Sequence, residues 1–425
     1  MASLNPLRIF YAKPTMKPIR IAYLVSRYPA ISHTFILREI CALRNFGFEI
    51  HVASINHIDR PIAQLTETER MEMSNTFYIK QAGIFGALTA HLQTIFTHPL
   101  RYFAGLWFAL RLGGVNLKKI MYSFFYFVEA VMVGQWMKKH QMNHLHVHFG
   151  MAAATVGMIT SRIFPVEFSL TIHGPDEFYD VYQNHLPQKI VYAKFICCIS
   201  QFARSQLMML SSPSYWNKFE ISPLGVDPDV FAQTVSYVPQ PHIFQILCVG
   251  RLVPVKGQFV LLQAVEHLIA QGRKLHVYFV GDGPDRHYLE NTVQKNNLQP
   301  YITFAGAINQ DRILQFYRQA DVFVLASFAE GVPVVLMEAM AMQIPCVTTH
   351  ITGIPELIHP GEGILVAPSD VDGLAQAIAK LIDDPALCRK IGIAARDSVM
   401  QHYHLQTNTQ HLANIFSQHI SHPTD

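Results

Sequence analysis

The strongest constraint on how this chain folds is an alternation that runs almost its whole length. Short β-rich runs are separated by stretches with helical spacing. IRIAYLV (19–25) gives way to the helical FILREICALRNFG (35–47), then to EIHVASI (49–55). HLHVHF (144–149), EFSLTI (167–172) and KFICCI (194–199) continue the series. Apolar runs joined through helices imply βαβ units and a parallel sheet. A second series follows the Pro- and Gln-containing stretch AQTVSYVPQPHIFQ (232–245). It runs ILCVG (246–250), the helical QFVLLQAVEHLIAQ (258–271) stopped by Gly272, and LHVYFVG (275–281), then ITFAG, DVFVLAS and PCVTT. The expected fold class is therefore α/β, with two Rossmann-like halves facing across a cleft. Open parallel sheets bind ligands beyond the carboxyl ends of their strands, so the ligand belongs between the halves.

The expected boundaries follow from these breaks. Residues 1–16 are a loose extension, or Met16 is the true start. A first domain spans 17–231 and a linker 232–245. A second domain spans 246–400, and a helix in 401–425 packs back on the first. A length of 425 residues suits two or three domains. A net charge of +3, with no Lys/Arg-rich run, gives no reason to expect a nucleic-acid partner. The six cysteines are scattered without CxxC spacing, as expected of reduced thiols in a cytoplasmic protein. The N-terminus lacks a long apolar run, so no signal peptide is expected.

Residues 81–139 interrupt the pattern. No Asp, Glu, Lys or Arg occurs from Gln81 to Leu100, and aromatic residues follow, interleaved with Arg101 and Arg111. YSFFYF (122–127) is flanked by Lys118, Lys119, Lys138 and Lys139. Three readings stand: helices buried on the first domain, helices lying in a membrane interface, or a membrane span.

The chemistry-bearing residues cluster at strand ends. In VGRLVPVKG (249–257), Arg251 and Lys256 follow a strand within one loop, where they can neutralise a diphosphate. In VGDGPDRHYLE (280–290), Gly281 and Gly283 permit close backbone approach, and Pro284 is expected to open a helix whose N-terminus favours anions. In EGVPVVLMEAM, Glu330 precedes a helix that Pro333 begins and Glu338 lies inside it. Eight helical residues span about 12 Å. The two acids could therefore flank one elongated ligand, with the amides from Gly331 to Val335 between them. That is the shape of a nucleotide-sugar; the bland alternative is one surface acid and one capping acid. A glycosidase also uses two carboxylates, but gives no reason for the Arg251–Lys256 loop. In TIHGPDEF (171–178), His173 closes a strand, either toward a ligand or as a structural histidine, and His148 in HVHF carries the same ambiguity. In SRYPAISHTFILREI (26–40), Ser32 or Thr34 caps a helix or touches a phosphate or acceptor.

Taken together, VGRLVPVKG, FVGDGP, FAGAINQDRILQFYRQADVFVLAS, FAEGVPVVLMEAMAMQIPCVTTHITGIPELI and GILVAPSDVDGLAQAIAKLIDDP resemble the retaining glycosyltransferases of family four. The likeness covers nearly the whole chain from Lys17. PAISHTFILREI, HVHFG and TIHGPDEF look like the branch that makes exopolysaccharides, colanic-acid-type transferases among them. The resemblance implies the GT-B fold. It also implies that Arg251 and Lys256 bind the donor diphosphate, Glu338 the ribose and Glu330 the sugar hydroxyls. Gly331, Val332, Pro333 and Val335 help, as do Gly281 and Gly283. Gly306 and Ile308 lie near the base. His173 stands at the reacting centre; with Glu330, Arg251 and Lys256 it makes up the expected catalytic set. Ser32, Thr34, His148 and Asp176 are the expected acceptor side. Many relatives have a Gly-Gly loop where this chain has RYPAISHT, so acceptor binding replaces phosphate contact there. Gln343 stands where Gly is common.

The implied donor is a UDP- or GDP-sugar and the implied acceptor a lipid-linked or growing oligosaccharide. No cofactor is expected and, with no DxD-like acid pair, no metal. Front-face transfer with retention follows, at the inner face of the cytoplasmic membrane through 81–139. Two rivals keep the fold: a nucleotide-sugar 2-epimerase and a catalytically silent scaffold.

Overall fold

A computed structural model describes residues 18–232 and 243–420. The expected extension at 1–16 and most of the expected linker at 232–245 lie outside the described residues. The first sheet holds β1 (Arg20–Arg27), β2 (Glu49–Asn56), β3 (Phe77–Tyr78), β4 (His144–His148), β5 (Glu167–Ile172), β6 (Ile196–Cys198) and β7 (Phe219–Ile221). Its strand order is β3-β2-β1-β4-β5-β6-β7, and every recorded pairing is parallel. The second sheet holds β8 (Phe244–Val249), β9 (Leu275–Val280), β10 (Ile302–Gly306), β11 (Val322–Leu325), β12 (Cys346–Thr349) and β13 (Ile364–Val366). It is also parallel, in the order β10-β9-β8-β11-β12-β13.

Both orders reverse direction at one place, between β1 and β4 and between β8 and β11. The loops leaving those strands splay apart there and open a crevice. The strands read as continuous apolar runs because helices cover both faces, as burial along β1 (Ile21 to Val25) and β11 illustrates.

The helix Leu405–His419 belongs to the core of the first sheet. Its Leu412, Ala413, Ile415 and Phe416 pack with Ile21, Tyr23, Ile36 and Ile40. The preceding helix, Pro385–His402, stays with the second sheet, burying Ile391, Ala395 and Val399. The chain crosses between them at Tyr403–His404, where Val226 pairs with His404.

The interrupting segment between β3 and β4 forms three helices: Gly83–Thr97, Pro99–Leu112 and Leu117–Lys139. One face is core: Phe127, Ala130, Val133 and Met137 are fully buried beside Ile159 and Ile163. The other face is exposed and apolar. Phe85, Phe96 and Leu100 are each more than four-fifths exposed, with Trp107, Leu117 and Phe125 also outside. The segment is thus a buried packing unit on one side and a bare apolar face on the other. Among the described residues no helix is long and apolar enough to cross a membrane.

Three local expectations need correction. Neither Ser32 nor Thr34 caps the helix Thr34–Asn45; His33 holds the N-cap position without a side-chain hydrogen bond. The chain leaves Ala30 in a short 3-10 turn that runs straight into the helix, so Thr34 is already helical. Pro284 does not open a helix: the next one begins at Arg286. Pro333 is the N-cap rather than the first helical residue of Val334–Ala341. Gln343, the departure from Gly, adopts φ +57° just past that helix, the left-handed ending that Gly takes without cost.

Candidate active site

The loop after β8 carries Arg251, exposed, and Lys256, half-buried. A sharp turn brings them together. Gly257 has φ +62°, and a Cβ there would lie 2.0 Å from the Ala326 carbonyl oxygen, so only glycine permits this approach to the strand end of β11. Lys256 Nζ consequently donates to Glu330 Oε1 at 2.6 Å. The Ser327 hydroxyl donates to the same oxygen at 2.6 Å. Glu330 is 8% exposed, so this carboxylate is a nearly desolvated acceptor with a cation beside it.

Glu330 leads into the contact between the two domains. A Cβ on Gly331 would lie 1.9 Å from the carbonyl oxygen of His173. The backbone of the second domain therefore rests on the loop after β5. That loop is held from behind: the Glu177 carboxylate accepts from the amides of His173 (2.5 Å), Gly174 (2.8 Å) and Gly150. Burial pushes the Glu177 carboxyl up to about 7, while those three amides and Lys189 pull it back. Lys189, also buried, donates to the carbonyls of Gly150, Met151 and Asn184. Sequence reasoning missed this brace. Glu177 in GPDEFYD, beside Asp176 and Asp180, and Lys189 in LPQKIVYAK read as ordinary surface charges, so the sequence carried no clear signal of it.

His173 is 7% exposed and lies between Phe35 and Phe149, with ring centroids at 4.9 and 4.4 Å. Burial, then the neighbouring His148, moves its ring well below the usual histidine range, so it stays neutral. His33 faces the same region. Burial and, next, the Arg251 guanidinium lower it to about 4. Arg251 thus acts electrostatically across the cleft on a residue of the first domain, as a cation poised near a binding crevice does.

Glu338 lies inside the helix Val334–Ala341 and is 5% exposed. Its Oε1 accepts from Arg38 Nη2 at 2.7 Å and its Oε2 from the Tyr317 hydroxyl at 2.9 Å. Arg38 comes from the first domain, so this carboxylate ties the domains together. The two acids do not present equivalent open faces: Glu330 is paired within its own domain, Glu338 across the cleft. Arg38 and Tyr317 were missed because nothing in their spacing distinguishes them from surface polar residues.

The remaining expected residues fall as follows. Gly281 sits at the end of β9, where a Cβ would lie 1.9 Å from the Gly250 carbonyl oxygen. Gly283 packs as tightly on Leu252. Gly306, the last residue of β10, and Ile308 just beyond it are half-buried. Val332 is buried, and Pro333 and Val335 line the start of the helix. Ser32 and Asp176 are exposed and Thr34 half-buried. His148 is different. It has no exposed surface and spends both ring nitrogens on Glu39 and His173, so it cannot touch an acceptor as expected. Glu39, His146 and His148 also bring ligand-type atoms within 4.8 Å of one another. Glu39 Oε1 is already bonded to Tyr23 and His148, the His146 ring nitrogens to Ser169 and Thr171, and those of His148 to His173 and Glu39.

Two parallel sheets facing across a crevice, with cations, a buried carboxylate and helix amides at their strand ends, make up the two-domain GT-B fold. Residues 239–398 match the family model described as glycosyl transferases group 1, so this part of the chain is a group 1 glycosyltransferase domain. Among its relatives is the putative colanic acid biosynthesis glycosyltransferase WcaL of Escherichia coli, 26% identical over 414 residues, covering 93% of this chain and 99% of that one. The amylovoran biosynthesis glycosyltransferase AmsK of Erwinia amylovora is 23% identical over 413 residues, with the same coverage. Among solved structures, Anabaena Alr3699/HepE in complex with UDP and glucose matches the fold with a TM-score of 0.70 at 17% identity. That match covers 94% of this chain and 100% of that one.

Proposed function

We propose that this enzyme transfers a sugar from a nucleotide-sugar to a lipid-linked or growing oligosaccharide in exopolysaccharide synthesis, with retention and without a metal. The observation that carries the reading is the Lys256–Glu330–Ser327 cluster seated against the His173 loop, with Arg251 beside it. Cations and amides that face developing diphosphate charge stabilise a departing nucleotide by preorganised electrostatics. Positioning of donor and acceptor supplies much of the rest. Arg251 and Lys256 hold the diphosphate, Glu330 the sugar hydroxyls and Glu338 the ribose. Ribose binding at Glu338 is shared with Arg38 or follows its release. Gly281, Gly283, Gly306, Ile308, Gly331, Val332, Pro333 and Val335 complete the donor side, and Ser32, Thr34 and Asp176 the acceptor side. The relatives' names, colanic acid and amylovoran biosynthesis, support the exopolysaccharide assignment.

The bare apolar face of 83–139 fits a membrane interface, because basic residues border it: Arg101, Arg111, Lys118 and Lys119 are all exposed. A lipid-linked acceptor would then be met at the membrane's cytoplasmic surface.

The test is thermal stabilisation of the full chain by UDP-, GDP- and ADP-sugars, with Lys256→Ala as control. A shift with one donor, lost in the variant, supports the site; no shift with any donor counts against it. The anomeric configuration of the product, read by NMR, decides retention. Activity that persists after EDTA treatment decides metal independence.

A further inference from the structure

β4 places His144, His146 and His148 on one face, and all three are fully buried. The first two meet hydroxyls of the neighbouring strand. His144 Nε2 lies 2.7 Å and His146 Nδ1 2.8 Å from Ser169 Oγ, and His146 Nε2 lies 2.9 Å from Thr171 Oγ1. His144 Nδ1 also lies 3.3 Å from Glu167 Oε2, whose side chain is partly exposed, whereas His148 meets ionisable groups at both ring nitrogens. Its Nε2 lies 3.1 Å from Glu39 Oε1, and its Nδ1 lies 2.9 Å from His173 Nε2. Glu39 Oε1 also accepts from the Tyr23 hydroxyl at 2.8 Å. Burial, then Glu39, holds that hydroxyl well above the usual tyrosine range, so Tyr23 remains a donor. At the far end, His173 Nδ1 is buried with no hydrogen-bond partner among the described residues.

The protons in this row can be counted. A carboxylate oxygen only accepts, so the proton between Glu39 and His148 sits on Nε2 of His148. A neutral imidazole with Nε2–H has a bare Nδ1, which must accept from Nε2–H of His173. Neutral His173 then has a bare Nδ1 as well. The geometry points to Glu39 and His148 as positioning residues that fix His173 in its Nε2–H tautomer, leaving Nδ1 as an acceptor for a hydroxyl of the bound sugar. The hydroxyl rests on the glycosyltransferase reading; the tautomer does not. Because a bare ring nitrogen accepts and never donates, it turns away phosphate and carboxylate oxygens while welcoming O–H. The row thereby separates the sugar's place from that of the diphosphate beside Arg251 and Lys256.

The alternative protonation is an imidazolium at His148 paired with Glu39. It would donate from Nδ1 and leave His173 with Nδ1–H, the opposite polarity. Nitrogen NMR on the full chain, labelled at histidine with ¹⁵N, distinguishes the two, with a His173→Asn variant identifying the signal. The expected spectrum has a pyridine-type Nδ1 and a pyrrole-type Nε2 at His173. A pyrrole-type Nδ1 would overturn the proposal.

Two variants then separate positioning from packing. His148→Leu removes the acceptor and should mix the two tautomers of His173. His148→Gln should restore it: only its NH₂ can serve Glu39, which leaves the amide oxygen for His173. The affinities of UDP and UDP-glucose, and of GDP and GDP-mannose, are measured in parallel. His148→Leu should weaken the sugar nucleotide that binds the parent about tenfold, leave the bare nucleotide within about twofold, and be rescued by Gln. Equal losses for nucleotide and sugar nucleotide would show a merely structural histidine and sink the idea. If no nucleotide binds the parent, the glycosyltransferase reading fails, and the His173 spectrum alone still decides the relay.

Discussion

Gly331→Ala tests whether the observed contact between the domains is the working one. A Cβ at this position would lie 1.9 Å from the His173 carbonyl oxygen and 3.3 Å from Gly174 Cα. Ordinary carbon–oxygen contact begins near 3.2 Å, so something must move by about 1.3 Å. The His173 backbone is poorly able to give way, because Glu177 accepts from its amide and from that of Gly174. The adjustment therefore falls on the approach of the second domain to the first. A misplacement of about 1 Å costs on the order of 100-fold in rate when the reacting groups are held by two separate bodies. The added methyl would meet only the His173–Gly174 backbone and not the Arg251 or Gly281 turns, so affinity for the bare nucleotide should change by less than about twofold. The assay pairs nucleotide affinity by calorimetry with nucleotide release from the donor that stabilises the parent enzyme. Parent-like turnover in Gly331→Ala would refute the reasoning, since it would mean that catalysis proceeds with the domains further apart than they are here.

Lys256→Met should destabilise the protein by about 2 kcal/mol in urea unfolding, less than the roughly 3–5 kcal/mol for a fully buried pair because part of the lysine is exposed. A Lys256→Met/Glu330→Gln double variant should recover most of that loss. His33 is neutral in the fold down to about 4, below the unfolded value of about 6.5. The unfolded chain therefore binds the extra proton between those values, and stability falls as pH drops from 6.5 to 4. His33→Gln should flatten that slope by up to one proton, measured by unfolding at each pH. Replacing Phe85, Phe96 and Trp107 together by Ser should reduce sedimentation with vesicles containing anionic lipid while leaving the melting temperature close to the parent's. Vesicle binding equal to the parent's would remove the membrane from the proposal.

The two-sheet fold was legible because parallel strands buried on both faces leave an uninterrupted apolar signature. β3 was not: two residues, Phe77 and Tyr78, pair at the sheet edge and carry no pattern long enough to read. The strand-end loops with Arg251, Lys256, Glu330 and His173 were visible for a simple reason. Charged and glycine residues directly after an apolar run mark where a parallel sheet meets solvent. What touches what across the cleft was not visible. Arg38 and Glu338 are separated by 300 residues, and only the relative placement of the domains joins them. The misreading of His148 has a different origin. Position at a strand end suggested a ligand-facing side chain, yet alternation along β4 turns it into the layer beneath the helix Thr34–Asn45. Glu39 could have warned of this: it occupies the stripe shared by Ile36, Ile40 and Leu43, a core position for a charged residue.

The return of the helix Leu405–His419 to the first sheet makes that domain discontinuous in the chain, with the second domain inserted into it. An exchange of the second domain between relatives by recombination would then need two crossover points, one near Phe244 and one near His402. A single crossover would give the hybrid a closing helix from one parent and its seat, around Ile21, Tyr23 and Ile40, from the other. Hybrids of that kind should fail by aggregation before any question of activity arises, whereas internal block exchange should leave the first domain intact.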